Sequence, residues 1–167
     1  MNAAARVLVA AGSNIEPETN LVRAACEIAR EFEGVRFSRA YRNPAVGFDG
    51  PDFINLVAVF AATLAPRATV ERLRHFEALC GRPRHAPKWA PRSMDLDLLL
   101  YGDLVCESDD LTLPRPDLLK RAYMLGPAAE VAPDFRHPTS GATLSELWAH
   151  SEHRAHALTP VPLVLPA

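Results

Sequence analysis

Phe53-Ile54-Asn55-Leu56-Val57-Ala58-Val59-Phe60 is the stretch on which the fold turns. With a period of two it is apolar on both faces except at Asn55, the pattern of a sheet strand covered from both sides. On its N-terminal side, Asn43 to Pro51 holds two prolines and two glycines in nine residues, which denies that stretch a ladder or a helix. Further back, Val35 to Tyr41 alternates like a half-buried strand, and Leu21, Ala24, Ala25, Ile28 and Ala29 recur at helical spacing before Gly34. Val7 to Ala11 is a short β-prone run ending at Gly12, and Ser13-x-x-Glu16 has the capping-box spacing that predicts a helix start.

On the C-terminal side, Pro66 can open a second helix with Val70, Leu73, Phe76, Leu79 and Cys80 as its buried stripe and Gly81 as its stop. Arg82 to Arg92, with three prolines, cannot be regular structure. Met94 to Tyr101 reads as another interior strand, and Gly102-Asp103 suits a tight turn into a short strand over Leu104 to Cys106. Pro114 and Pro116 precede a helix containing Leu118, Leu119, Met124 and Leu125. Leu144, Leu147 and Trp148 mark one more short helix, followed by a tail expected to be peripheral from about residue 150. Two strand-helix-strand passages around a mostly antiparallel sheet, with helices on both faces, predict an α+β sandwich of ferredoxin-like type.

A chain of 167 residues fits one domain, 1–167. With 18 Lys plus Arg against 20 Asp plus Glu, the net charge of -2 excludes a global positive field of the kind that gathers nucleic acid or acidic membrane. Any anion site must be local. Cys26, Cys80 and Cys106 form no C-x-x-C pair and no zinc spacing, so reduced structural thiols are expected. The apolar run after Arg6 stops short of a signal-peptide core, and no run approaches the ~20 residues of a membrane span. A cytoplasmic protein without nucleic-acid or membrane partners is the expectation.

Asp95 and Asp97 lie two apart on a predicted strand, so both carboxylates leave one face while Leu96 and Leu98 enter the other. They read either as solvent-facing acids on a strand or as a site for a hard divalent cation, and oxygen-only ligands in small number suit magnesium best. The loop before them carries Arg82, Arg84, Lys88 and Arg92, cationic donors of the type that grips polyphosphate oxygens. A solvated basic loop that salt-bridges locally is the other reading. Phe53 and Asn55 also share a strand face, where a ring and an amide could hold a flat heterocycle or simply belong to the core. No G-x-x-x-x-G-K or G-x-G-x-x-G is present, and the six histidines suit no metal triad.

Taken in order, five motifs resemble the 6-hydroxymethyl-7,8-dihydropterin pyrophosphokinases, enzymes of folate synthesis. They are Gly12-Ser13-Asn14, Asn43-Pro44-Ala45-Val46-Gly47, Pro51-Asp52-Phe53-Ile54-Asn55, Glu77-x-x-x-Gly81-Arg82-x-Arg84, and Trp89 to Gly102 with Met94-Asp95-Leu96-Asp97 at its centre. The resemblance implies an ATP-dependent diphosphokinase that moves pyrophosphate from ATP to the pterin hydroxymethyl group and releases AMP. A non-catalytic pterin or nucleotide binder on the same fold is the alternative. Asp95 and Asp97 would bind two Mg2+ ions. Arg82 and Arg92 would lie nearest the reacting phosphates, with Arg84 and Trp89 on the same loop over ATP. Pterin would lie between Phe53 and Tyr123, bonded by Asn55 and by backbone near Asn43, Pro44 and Val46. Leu98 and Thr112 would meet adenine, with Glu77 and Arg121 nearby. Arg115 stands where a phosphate-binding His is usual, Asp110 replaces a common Arg, Pro116 a common aromatic and Ala90 a common Gly. ATP and the dihydropterin are the implied small-molecule partners, and a monomer the implied state.

Overall fold

The computed structural model of the protein describes residues 3–45, 47, 49–81, 93–155 and 158–166. In chain order its elements are β1 (Ala5–Ser13), α1 (Pro17–Glu31), β2 (Glu33–Phe37), β3 (Ala40–Asn43), β4 (Phe53–Ala62), α2 (Pro66–Leu79) and β5 (Asp95–Tyr101). They continue with β6 (Cys106–Glu107), β7 (Thr112–Leu113), α3 (Asp117–Lys120), α4 (Ala122–Val131), α5 (Leu144–Ala149) and β8 (Thr159–Val161). The main sheet runs β5-β1-β4-β3-β8 with β2 also on β4, and every pairing is antiparallel. With β2 and β3 counted as one broken strand, this is the ferredoxin-like order expected from the two strand-helix-strand passages.

β4 has the interior position that its apolar pattern predicts, with β1 on one side and β2 and β3 on the other. Its alternation divides the core. Ile54, Leu56, Ala58 and Phe60 face α1 and α2, where Leu21, Ile28, Leu73 and Phe76 pack on them. Val57 and Val59 join Leu8, Leu99 and Leu100 beneath Leu118, Met124, Leu125 and Ala128 of α3 and α4. Phe60, 2% exposed, stacks on Phe32 with ring centroids 4.2 Å apart. Phe60→Ala is expected to lower stability by about 3–5 kcal/mol, because a large ring is removed from a close-packed site. Urea titration with an unchanged m-value is the check.

Several local expectations are corrected. Ser13 does not cap α1: it ends β1, its Oγ donates to the Ile15 carbonyl (3.1 Å), and the helix opens at Pro17 behind Glu16 in the left-handed region, φ 41°. Proline at the first helical position has no N–H to satisfy, so that donor needs no cap. α1 ends at Glu31 rather than at Gly34, which takes φ 64° inside β2. The single strand expected over Val35 to Tyr41 is two, because one extra residue sits between the pairs Phe37↔Ala58 and Tyr41↔Asn55. Ser38 fills that gap in the ladder. Its N–H donates to the Val57 carbonyl (2.8 Å) and its Oγ accepts the Val57 N–H (2.9 Å).

Leu79, predicted in the buried stripe of α2, is 41% exposed. β6 pairs with β7 and not with β5, and the helix expected around Leu118 to Leu125 breaks at Arg121, which is extended (φ -119°, ψ 120°). Among the described residues β5 pairs with β1 alone and so lies at the sheet edge, not in its interior. Its apolar pattern reports two covered faces, and the helical layers supply that cover without a second strand neighbour. The expected peripheral tail contributes β8, which pairs with β3 across Ala40↔Val161, and Val161, Leu163 and Leu165 pack on the core. Among the described residues, no helix is long and apolar enough to cross a membrane.

Candidate active site

The face of the sheet beneath α4 continues beyond the helix as an open row of side chains. Gly12 on β1 is paired with Asp95 on β5 and Asn55 on β4, and Asn55 in turn with Tyr41 on β3. One step along the same face, Ala10 is paired with Asp97 and Val57. Gly12 is the empty position in that row. A Cβ on it would lie 2.4 Å from Asn55 Oδ1 and 3.7 Å from Phe53 Cδ1, so only glycine leaves room for the amide. The Asn55 side chain, 7% exposed, donates from Nδ2 to Asn43 Oδ1, and Asn43 Nδ2 donates to the Pro44 carbonyl (3.1 Å).

The open end of the face forms a cleft of about 840 Å³, within the range of small-molecule sites. Phe53, Asn55, Asp95, Asp97 and Tyr123 line it, together with Glu77, Leu98 and Thr112. Its β5 wall is an edge strand. Glu77 Oε2 accepts the Leu96 N–H (2.8 Å) on the outer edge, and strand alternation directs the Leu98 backbone groups the same way. Burial pushes the Tyr123 hydroxyl pKa up.

In the acid pair, the Asp97 side chain is 18% exposed. Burial, and then the neighbouring Asp95 charge, push its carboxyl up to about 7, while Arg115 pulls the other way. Arg115 lies 3.5 Å from Asp97 Oδ1 and, through Nε, 3.5 Å from Asp117 Oδ2. Two carboxylates in a cleft, one of them ionised at a cost, make a donor set that a hard cation satisfies. Among the described residues no group of three or more His, Cys, Asp or Glu is placed to cage a metal. The pair Asp95 and Asp97 is the size of donor set that Mg2+ takes, with one or two carboxylates and its other positions filled by waters and phosphate oxygens.

The sign of the pH dependence follows. Between the ordinary Asp value of ~4 and about 7, folded Asp97 holds a proton that the unfolded chain has released, so metal-free stability falls as pH rises through that window. Metal must displace the same proton. Mg2+ affinity is expected to rise about tenfold from roughly pH 6 to pH 8 and then level, as measured by calorimetry in buffers of different ionisation heat.

Of the residues expected at the site, Asn43, Phe53, Asn55, Glu77, Asp95, Asp97, Leu98, Thr112, Arg115, Arg121 and Tyr123 all line the cleft. Pro44 is exposed and is not among the described residues lining it. Val46, Arg82, Arg84, Trp89 and Arg92 lie outside the described residues. Sequence reasoning missed Gly12 as a site residue, Asp117, and the α2 contribution of Val70, Leu73 and Arg74. Asp117 carried a signal, since an acid two residues beyond Arg115 within a Pro-flanked segment is held close to it.

An antiparallel α+β sandwich with an acid pair and a ring-and-amide pair on one sheet face, lining one cleft, is the class that fold and site define. The family model for 7,8-dihydro-6-hydroxymethylpterin-pyrophosphokinase (HPPK) matches residues 8–133, and the chain belongs to that family. A 2-amino-4-hydroxy-6-hydroxymethyldihydropteridine pyrophosphokinase of Synechocystis sp. is 40% identical over 143 residues, covering 84% of this chain and 73% of that one. The Pseudomonas aeruginosa protein of the same name is 36% identical over 86% of this chain and 90% of its own. The crystal structure of wild-type Plasmodium falciparum HPPK-DHPS superposes with a TM-score of 0.67 at 11% identity, over 89% of this chain. The chain spans 45% of that longer protein, and the likeness bears on the fold.

Proposed function

We propose that the protein transfers pyrophosphate from ATP to the 6-hydroxymethyl group of 6-hydroxymethyl-7,8-dihydropterin, releasing AMP, as a step of folate biosynthesis. The observation that carries the reading is the single sheet face on which Asp95 and Asp97, the vacant Gly12 position and Asn55 succeed one another. It provides a place for phosphates and a place for a flat acceptor side by side, within one cleft.

In this reading Asp95 and Asp97 hold Mg2+, two ions by family resemblance. When bound, the metal neutralises charge on the phosphate oxygens and orients them for in-line displacement. The chain does the rest. Phe53 and Tyr123 sandwich the pterin, and Asn55, fixed by Asn43, reads its polar edge. Backbone near Asn43, Pro44 and Val46 adds donors and acceptors. Leu98 and Thr112 meet adenine at the β5 edge, beside Glu77 and Arg121. By family resemblance Arg82, Arg84, Trp89 and Arg92 would contact the nucleotide, with Arg82 and Arg92 stabilising charge on the transferred group. Attack of the substrate hydroxyl on the β-phosphorus breaks the α–β bridge, so AMP leaves and the hydroxyl proton passes to solvent or phosphate without a dedicated side-chain base. A single-domain cytoplasmic monomer, with ATP and the dihydropterin as partners and no nucleic acid, completes the proposal.

The test is a product assay with Mg2+, ATP and the reduced hydroxymethyl pterin. AMP and the pterin pyrophosphate in equal amounts are expected; ADP with a pterin monophosphate would overturn the assignment.

A further inference from the structure

Arg115 is the residue whose surroundings the proposed reaction leaves unexplained. Its backbone N–H donates to the Leu99 carbonyl (2.9 Å), which anchors its main chain to β5 two residues beyond Asp97. Pro114 and Pro116 stand on either side and restrict the backbone there. The guanidinium lies between two acids, 3.5 Å from Asp97 Oδ1 and 3.5 Å from Asp117 Oδ2. Both distances exceed the ~2.8 Å of a charge-assisted hydrogen bond. Arg115 Nε is shielded from solvent yet has no hydrogen-bond partner among the described residues. The cation is therefore held by charge and not locked by geometry, and its side chain remains 40% exposed toward the cleft that it lines.

Resting on the proposed function above, we infer that Arg115 is a displaceable internal counter-ion of Asp97, exchanging that carboxylate for a phosphate oxygen when metal and nucleotide enter together. The physical reason is a conflict of charge. A dication held by Asp97 would bring a second positive charge to the carboxylate that Arg115 already faces at 3.5 Å, and the two cations would repel. Bare metal must push the guanidinium away without offering it a new partner. Metal that arrives with a polyphosphate brings oxygens that the five guanidinium donors can take. Asp117 keeps the released guanidinium within reach, since it faces Nε at 3.5 Å while Nη2 faces Asp97. Arg115 thereby makes metal and nucleotide binding mutually dependent, and linkage requires each to tighten the other by the same factor.

Binding of Mn2+ alone, followed by electron paramagnetic resonance, and again with saturating α,β-methylene ATP, tests this without turnover. Arg115→Gln removes the charge and leaves the main-chain bond to Leu99 in place; Arg115→Ala is the second variant, and thermal melts establish that each is folded. Both variants are expected to bind Mn2+ alone roughly three- to tenfold more tightly than the wild type, the scale of a half-exposed ion pair. The factor by which the analogue tightens Mn2+ should shrink at the same time. Unchanged or weaker Mn2+ binding by the folded variants, or an undiminished coupling factor, overturns the inference while leaving the metal site intact. If the wild type binds no Mn2+ even with the analogue, the failure lies with the acid pair as a metal site and with the function built on it.

Discussion

Asp97→Asn is expected to abolish AMP formation, by at least about a thousandfold in kcat, because in the proposed reaction one of the two carboxylates that would hold the metal at the phosphates is gone. The same substitution should raise the thermal midpoint of the metal-free protein at pH 8. The Asp97 carboxyl is pushed up to about 7 by burial and by Asp95, so at pH 8 its ionised form is a cost that the unfolded chain does not bear. Asparagine keeps the volume and drops that cost. Acidification to roughly pH 5 protonates the wild-type carboxyl and should narrow the gap between the two proteins. A variant that is inactive and also less stable than the wild type at pH 8 would show Asp97 to be a structural carboxylate held by Arg115. Residual activity at the wild-type level would remove it from the metal site altogether.

The second large effect is expected at Gly12, the glycine paired with Asn55 on one side and with Asp95 on the other. Gly12→Ala places a methyl group 2.4 Å from Asn55 Oδ1, inside the van der Waals envelope of an amide that is tied to Asn43. β1 lies between β4 and β5 and cannot retreat, so Asn55 must turn and the Asn43 tether must break. A displacement of about 1 Å in a positioning group costs on the order of a hundredfold in rate. The loss should fall on kcat/KM for the pterin, while the affinity for a nucleotide analogue stays within about threefold, since the Asn55–Asn43 tether is not part of the acid pair. An equal loss on both substrates would mean that the substitution distorts the β1–β5 ladder.

Much of this site was readable before any coordinates, and the reason is periodicity. Asp95 and Asp97 share a face because strand side chains alternate, and Phe53 with Asn55 share one for the same reason. β4 was legible because its two apolar faces demand cover from both sides. Partners across the sheet were not legible. The pattern that marked β5 as covered was read as interior, when its outer edge is met by Glu77 and by the backbone of Arg115, residues remote from any strand pattern. β8 escaped notice because Pro160 looks like a loop residue, although a proline is tolerated on an edge strand, and Pro160 sits opposite Tyr41 there. Ser38 was hidden by an alternation that continues through it, since its role depends on Val57 and not on its neighbours in sequence. Gly12 reads in sequence only as the stop of the first β-prone run, because nothing within the chain near it announces that Asn55 stands opposite.

The outer edge of β5 has a consequence for the protein in solution. A bare strand edge invites another chain to add itself by backbone pairing, and a ligand cleft that borders such an edge cannot simply be filled in. Here the Leu96 N–H is covered by the Glu77 carboxylate and the Leu99 carbonyl by the Arg115 N–H. Among the described residues, the stretch between these two stoppers is the part of the edge that borders the cleft. Glu77 thus covers part of this edge as well as lining the cleft, and Glu77→Ala is expected to leave the Leu96 N–H open to edge-to-edge pairing.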